Sequence, residues 1–248
     1  MTSPANIHLS VNLNKVAMLR NARPLDIPSV VKMGEISIAA GAHGLTVHPR
    51  PDERHIRRTD VYDLATLLKA HPTIEYNIEG NPLEPPFMEI IREVRPDQCT
   101  LVPDDPTQNT SDHGWDIAKD GAQIKPIIAE LQQLGCRVSL FMDPDIAQIE
   151  QVPQLGCERI ELYTEPYATA YRQGQADESF ALYKQAAACA QSLGLGVNGG
   201  HDLNLENLSQ FREIPNLLEV SIGHALTADA LEMGYANAVK AYLKVLAG

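Results

Sequence analysis

The sequence predicts a (β/α)8 barrel, the TIM-barrel architecture, with small extra helices. Short β-branched or apolar runs alternate along the chain with longer segments of helical period, a pattern typical of a parallel sheet covered by helices. Eight such pairs fit into 248 residues, which is the usual size of this barrel. An open doubly wound sheet is the alternative, but it usually has fewer strands and a Gly-rich first turn that this chain lacks.

Strands are predicted over residues 7–12, 44–48, 73–78, 98–102, 137–141, 159–163, 196–198 and 219–222. Helices are predicted over residues 28–40, 60–70, 84–94, 121–134, 145–154, 177–193, 205–213 and 226–246. Many of these helices begin at Pro, Asp or Asn and end at Gly or before Pro, which are ordinary boundary signals.

Two connections are longer than is usual between a strand and a helix. Residues 103–115 are rich in turn formers and end in the single Trp, which suits either a lid over a site or an exposed surface loop. Residues 164–174 carry two tyrosines and predict a short extra helix or a subunit contact. No internal repeat or linker interrupts the chain, so we expect one domain over residues 1–248.

Composition limits the class of partner. Hydrophobic residues make up 44% of the chain and the net charge is −12, which describes a globular protein that binds neither nucleic acid nor an anionic membrane. No signal pattern or transmembrane run is present, so we expect a cytoplasmic protein. The first 58 residues hold eight basic and four acidic side chains, which favours either a bound small anion or a solvated charged surface.

The four cysteines do not suggest a metal or redox site. They stand at positions 99, 136, 157 and 189, without a C-x-x-C pair. We expect reduced cysteines packed as small apolar residues.

Polar residues cluster where the predicted strands end, which in a parallel barrel is where the chemistry occurs. These residues are Asn12, His48, Arg50, Glu75, Glu161, His201, Gly223 and His224, with His55 a few positions after the second strand. Histidines and buried carboxylates in one concave site are suited to general acid–base catalysis. His48 could instead be a hydrogen-bonded structural histidine, and Glu161 could serve only as a partner of Arg159.

Two glycine-flanked histidines predict a phosphate site. The segments 198–202 and 221–225 end the seventh and eighth strands, where barrels often bind phosphate through backbone N–H groups. The alternative is that these glycines only permit a tight turn. A metal site built from the same histidines and carboxylates is a rival, but no H-x-H or H-E-x-x-H spacing occurs and Arg50 would repel a cation.

Six motifs resemble the pyridoxine 5′-phosphate synthase family. They span residues 11–23, 46–56, 101–103, 159–163, 197–201 and 221–225, and they keep the family's order and spacing from about residue 7 to the end. The resemblance implies condensation of 3-amino-2-oxopropyl phosphate with 1-deoxy-D-xylulose 5-phosphate, giving pyridoxine 5′-phosphate, phosphate and water. It implies no cofactor and no metal, and it implies a homo-octamer.

The resemblance also assigns residue roles. His48 would be a general base, Glu75 a second acid–base group, His201 the proton donor and Glu161 a stabiliser of the transition state. The amino-ketone phosphate would be held by Asn12, Arg23, Gly223 and His224, with Asp202 nearby, and the deoxyxylulose phosphate by Arg50, His55 and Thr110. Asn14 and Lys15 depart from the Asp and His that are commoner in the family at these positions.

Overall fold

The protein, described here by a computed structural model, forms a closed barrel of eight parallel strands. The described residues are 7–105, 107–108 and 110–248, so positions 106 and 109 of the predicted lid lie outside them. The strands follow one another in chain order around the barrel, and the eighth pairs with the first. The predicted (β/α)8 barrel is therefore confirmed.

The strands and helices have the following bounds. The strands are β1 (His8–Asn12), β2 (Gly44–Val47), β3 (Glu75–Gly80), β4 (Gln98–Leu101), β5 (Arg137–Met142), β6 (Arg159–Tyr163), β7 (Gly196–Gly200) and β8 (Leu217–Ile222). The helices are α1 (Asn14–Asn21), α2 (Val30–Ala40), α3 (Arg58–Leu68), α4 (Pro85–Val94), α5 (Ile117–Gln133), α6 (Ile146–Ile149), α7 (Glu165–Arg172), α8 (Ala176–Ser192), α9 (Leu208–Phe211), α10 (His224–Met233) and α11 (Tyr235–Ala247), with a 3-10 helix at Val152–Leu155.

Most boundaries agree with the prediction to within a few residues, and the exceptions have local causes. β3 begins two residues later than predicted because Ile74 is still in a turn, with its N–H donating to His71 O. The short helix α7 occupies the long connection after β6, where an extra helix was one of the two expectations. The predicted last helix is two helices, since Gly234 adopts a φ of 82° between them. Helix α1 was not predicted.

Local capping chemistry explains several helix ends. Ser29 accepts a hydrogen bond from the N–H of Lys32 at the start of α2, and Asp116 accepts one from the N–H of Lys119 at the start of α5. α2 then ends at Gly41, whose φ of 105° is accessible to glycine at little cost. These caps fix where each helix starts on the outer face of the barrel.

The apolar core lies between the strands and the surrounding helices. Strand residues such as Leu9, Leu45 and Ile78 are fully buried, as are the helix residues that cover them, including Leu64 and Ile91. Cys99, Cys136 and Cys157 are buried free thiols and Cys189 is partly buried, in agreement with the prediction. Within the described part of the chain, no helix is long and apolar enough to cross a membrane.

The inside of the barrel is polar. Ser10, Thr46, Asn77 and Thr100 form a chain of hydrogen bonds of 2.6 to 3.3 Å across the first four strands. Alternate strand residues point to opposite faces, so the same periodicity that buries the aliphatic side chains outside places these polar groups inside. The interior can therefore support a charged site at its carboxyl end.

We expect substitution of Gly114 by Ala to lower the stability strongly. Residues 114 and 115 run beside the end of β5, with Trp115 N donating to Phe141 O, and a Cβ at 114 would lie 2.6 Å from the carbonyl carbon of Met142. Overpacking against backbone that cannot move costs about 1–3 kcal/mol or more. Chemical denaturation of Gly114→Ala measures this loss.

Gly135→Ala is the control for this prediction. Gly135 has a φ of 89°, but a Cβ there would have no atom within 4 Å, so only backbone strain of roughly 1 kcal/mol applies. Equal losses in the two variants would contradict the packing argument.

Candidate active site

One large cavity opens at the carboxyl ends of the strands. Its volume is about 500 Å³, which suits small-molecule substrates. The cavity is lined by ten of the residues that the sequence singled out, namely Asn12, His48, Arg50, His55, Thr110, Glu161, His201, Asp202, Gly223 and His224. The structure therefore brings together residues from loops that are up to two hundred positions apart in sequence.

Glu79, near the end of β3, is the acidic residue that the sequence analysis missed. Its Oε2 lies 4.0 Å from Nδ1 of His48 and 3.4 Å from Nδ2 of Asn12. Burial is the main cause that raises the pKa of Glu79 to about 7, with the nearby Asp104 carboxylate adding to the effect. A carboxyl group with that pKa can both accept and donate a proton near neutral pH.

The prediction that Glu75 lies in the site is wrong. Glu75 is the first residue of β3 and so lies at the amino end of the barrel, where it forms an ion pair with Arg137. It does not line the cavity. The error follows from the strand boundary, because a strand taken to end at Ile78 excludes the carboxylate one residue further on.

Arg23 also lies elsewhere in this chain. It is exposed in the turn that follows α1 and does not line the cavity. The cavity of the single chain therefore does not include Arg23, and its contact with the amino-ketone phosphate stays a prediction.

His48 is held beside Glu79 by its own backbone. The backbone N–H of His48 donates to Oδ1 of Asn14 at 2.9 Å, and the backbone N–H of Asn14 donates to Oδ1 of Asn12 at 3.0 Å. Burial, and then the charge of Arg50, lower the pKa of His48 well below its usual range. The imidazole is thus neutral at pH 7 and available as a base.

Glu161 is buried in the cavity wall on β6, with an exposed fraction of 3%. Its Oε2 has no hydrogen-bond partner in the described chain, and burial followed by the charge of Glu79 raises its pKa well above the usual range. A Cβ at position 200 would overlap this carboxyl group, so the glycine that ends β7 makes room for it. The alternative role of Glu161 as a partner of Arg159 is not seen, because Arg159 faces Glu219 instead.

His201 follows β7 with a φ of 87°, an uncommon conformation for a residue with a side chain. Thr164 stabilises this turn because its hydroxyl donates to the carbonyl oxygens of Gly200 and His201. Nε2 of His201 lies 3.1 Å from the carbonyl oxygen of Ser111 and 3.0 Å from Oγ1 of Thr110. A carbonyl only accepts, so Nε2 carries the proton.

A group of potential phosphate ligands lies after β2. His55 accepts a hydrogen bond at Nδ1 from the N–H of Ile56 at 2.9 Å, which leaves its Nε2 as a donor. Burial and the charge of Arg50 lower the pKa of His55 to about 3, so the ring is neutral. Arg50 itself is 5% exposed and lines the cavity beside it.

A second group lies at the start of α10. Gly223, His224 and Ala225 line the cavity at the N-terminus of this ten-residue helix. Unbonded N–H groups and the helix dipole favour an anion at such a position. Lys15, in the first turn of α1, also lines the cavity, and no ion pair to it is formed among the described residues.

The cavity includes further residues that the sequence analysis did not select. They include Ser111, Phe141, Tyr163, Glu165, Arg172, Asn204 and Ser221, together with the noted departures Asn14 and Lys15. Phe141 and Tyr163 form an aromatic wall whose rings lie 6.3 and 5.4 Å from that of His201. Among the described residues, no group of three or more His, Cys, Asp or Glu side chains is arranged to hold a metal ion.

The fold and the site define a TIM-barrel enzyme with an acid–base cavity that can bind phosphorylated small molecules. Residues 9–248 match the model of the pyridoxal phosphate biosynthesis protein PdxJ, and the chain belongs to this family. It is 54% identical over 248 residues to pyridoxine 5′-phosphate synthase of Xanthomonas campestris pv. campestris strain B100, covering 97% of this chain and 96% of that protein. It is 52% identical over 245 residues to the protein of the same name from Albidiferax ferrireducens, covering 96% and 97%.

Solved structures confirm the architecture alone. A chain of tryptophan synthase from M. tuberculosis aligns with a TM-score of 0.68 at 10% identity, covering 99% of this chain and 94% of the other. Phosphoribosyl anthranilate isomerase from Thermotoga maritima aligns with a TM-score of 0.61 at 14% identity, covering 97% and 98%. Structural similarity at such low sequence identity supports the barrel fold and gives no information about the reaction.

Proposed function

We propose that this chain is an enzyme that makes pyridoxine 5′-phosphate in vitamin B6 biosynthesis, by condensing 3-amino-2-oxopropyl phosphate with 1-deoxy-D-xylulose 5-phosphate. The observation that carries the proposal is one cavity that holds Glu79, His48, Glu161 and His201 beside two groups suited to phosphate. Membership of the family supports the same reaction. Condensing an amine with a ketone and closing a ring needs several proton transfers, which this set of groups supplies.

Glu79 and His48 act as the bases. The amine of the amino-ketone must be neutral to attack the ketone, and the proton that it loses goes to one of these adjacent groups. Glu79 has a pKa of about 7 and is therefore partly ionised near neutrality, while the buried His48 is neutral. Glu79 takes the role that the sequence analysis gave to Glu75, and it can return its proton in a later step.

His201 and Glu161 act on groups that leave or become charged. Once His201 has taken up a proton released earlier in the condensation, its imidazolium gives the Nε2 proton to a departing hydroxyl group, which leaves as water, and the ring returns to neutral imidazole. Burial raises the pKa of Glu161 well above its usual range, so its protonated form can donate a hydrogen bond to oxygen that gains negative charge. The aromatic wall of Phe141 and Tyr163 packs against the substrate and limits the access of water.

The two phosphate groups bind on different loops. Arg50, His55 and Thr110 bind the deoxyxylulose phosphate, and the start of α10 with Asn12 binds the amino-ketone phosphate. Lys15 adds a cation in place of the commoner histidine, and its charge lowers the pKa of both His55 and His201. These assignments favour a chemistry that needs only protein groups.

Assembly and location are further parts of the proposal. The exposed apolar residues Met18, Leu19, Leu25 and Ile27 on and after α1 favour contact with further copies of the chain, and we propose the homo-octamer implied by the family. Light scattering tests this, and a monomer would contradict it. A cytoplasmic location remains a prediction.

The test of the function is direct incubation of the purified, metal-free protein with both substrates. Product is detected by the fluorescence and mass of pyridoxine 5′-phosphate, and we expect repeated turnover. Binding of both substrates without product would contradict the proposed activity and would direct attention to Asn14 and Lys15. Turnover that requires an added metal would instead favour the rival metal-dependent chemistry.

We expect Arg50→Ala to raise the KM for deoxyxylulose phosphate about tenfold to a hundredfold. A charge-assisted hydrogen bond to a phosphate contributes roughly 1.5–3 kcal/mol, and the KM for the other substrate should change little. Arg57→Ala is the control, since Arg57 pairs with Asp26 on the surface, outside the cavity. A weakening of the amino-ketone phosphate alone would mean that the two phosphate groups are assigned the wrong way round.

A further inference from the structure

Asp104 is a buried carboxylate beside the cavity that the mechanism above does not use. It follows β4 with an exposed fraction of 3% and does not line the cavity. Oδ2 of Asp104 forms an ion pair with Arg50, which is itself 5% exposed. The same oxygen accepts a hydrogen bond of 2.7 Å from the hydroxyl of Ser111. One carboxylate oxygen therefore joins the loop after β2 to the loop after β4.

The contacts continue from this pair to the predicted proton donor. Ser111, which donates to Asp104 through its hydroxyl, accepts from Nε2 of His201 through its carbonyl oxygen at 3.1 Å. Its neighbour Thr110 lies 3.0 Å from the same Nε2. A continuous path of polar contacts thus runs from Arg50 through Asp104 and Ser111 to His201.

Two further hydrogen bonds hold the residues of this path in place. The backbone carbonyl of Asp104 accepts from Nδ2 of Asn81 at 3.0 Å, and Arg50 also donates to the carbonyl oxygen of Gln108 at 3.1 Å. Oδ1 of Asp104 is buried and has no hydrogen-bond partner in the described chain. Burying a carboxylate with an unpartnered oxygen costs stability, and this cost favours a role for Asp104 in the site over a purely structural one.

We propose that Asp104 is a positioning residue for the reaction: through Arg50 and Ser111 it fixes the segment that carries Thr110 against His201. Arg50 and Thr110 bind one substrate phosphate, while His201 transfers a proton, so Asp104 holds phosphate binding and proton donation in one geometry. This inference rests on the proposed function. Small misplacements of groups that act on a substrate reduce the rate strongly even when binding persists.

Asp104→Asn keeps the shape and removes the charge. We expect kcat to fall about tenfold or more, because a neutral amide oxygen holds Ser111 and Arg50 more weakly than the carboxylate oxygen does. Binding of deoxyxylulose phosphate alone, measured by calorimetry, should tighten severalfold, since a carboxylate next to Arg50 repels a bound phosphate. Asp105→Asn is the matched control: Asp105 is exposed, its carboxylate accepts from the N–H and the hydroxyl of Thr107, and the substitution should leave both quantities unchanged.

Ser111→Ala tests the same path without altering the charge at Arg50. It removes the hydroxyl that binds Asp104, so kcat should fall, while the tighter binding of deoxyxylulose phosphate expected for Asp104→Asn should be absent. An unchanged kcat in folded Asp104→Asn would overturn the proposal, as would weaker substrate binding with normal kcat. If the wild type makes no product, the proposed function fails, and the calorimetric result still tells whether Asp104 opposes phosphate at Arg50.

The pH profile separates positioning from simple structural support. Asp104 raises the pKa of Glu79, whereas Arg50 and Asn12 lower it, and His48 and Glu161 also face Glu79 across the cavity. Removing the carboxylate should therefore move the acid limb of kcat/KM to lower pH in Asp104→Asn. Asp105→Asn should keep the limb in place, and a limb that stays in place in both variants would count against the proposal.

Discussion

Glu79→Gln is expected to reduce product formation by about a hundredfold to ten-thousandfold, the range that general acid–base groups contribute. The amide keeps the size of the side chain and the contact with Asn12, but it can neither accept nor donate the proton that the pKa of about 7 makes available. Both substrates should still bind with nearly normal affinity, because no cation is lost. Steady-state kinetics with calorimetric binding of each substrate measures the two effects separately.

Glu75→Gln on the same strand is the matched control. Glu75 pairs with Arg137 at the opposite end of β3, so its loss should cost roughly 1 kcal/mol of stability and leave kcat unchanged. Normal turnover in Glu79→Gln together with a collapse in Glu75→Gln would restore the assignment made from the sequence. A modest loss in both variants would show that neither carboxylate carries the chemistry.

The barrel could be predicted from sequence because alternating strands and helices leave a strong periodic signal. Runs such as Arg159–Tyr163 combine β-branched and aromatic residues, and that strand is observed with the predicted bounds. Helix α1 was missed because Asn14–Asn21 follows β1 directly and combines buried Val16 and Ala17 with exposed Met18 and Leu19, so its apolar stripe is weak. Long elements with a clear hydrophobic period can thus be predicted from sequence more reliably than short elements, whose conformation depends on tertiary contacts.

Site residues could be predicted from the sequence only where the end of the preceding strand could also be predicted. His48 and His201 follow strands whose ends are marked by Pro or Gly, and both lie in the cavity. The third strand contains two carboxylates, Glu75 and Glu79, four residues apart. Alternation along the strand places both on the same face, so the position of the strand end decides which of them reaches the cavity. The Gly80-Asn81-Pro82 turn directly after Glu79 was the signal that would have selected it.

Contacts that join distant loops could not be derived from the sequence. Asp104 and Arg50 are 54 positions apart, and neither residue indicates its partner by spacing. The exposure of Arg23 is equally a property of the folded chain, since it lies in the turn after α1 and does not line the cavity. Side-chain pairing between loops depends on three-dimensional closure of the barrel, which periodicity does not encode.

We expect kcat/KM to fall about tenfold per pH unit below pH 7. Glu79 must be ionised to accept a proton, and burial with Asp104 raises its pKa to about 7 against the opposing effects of Arg50 and Asn12. The sign follows from the charge: protonation below that pKa removes the base, so activity at pH 5 should be about a hundredfold below the plateau. The buried His48, whose pKa is lowered well below its usual range, is neutral at pH 7 and above and adds no loss there.

The substrates also titrate near this range, since the second pKa of a phosphate monoester is about 6. If the acid limb of the kcat/KM profile is due to ionisation of the substrates, substitution of Glu79 cannot move it. If the limb is due to Glu79, the substitution must move it. The residual activity of Glu79→Gln should therefore lack the limb near pH 7 and fall only near pH 6. A limb at pH 7 that persists in Glu79→Gln would assign the ionisation to another group, and a wild-type profile flat down to pH 5 would exclude Glu79 as the base.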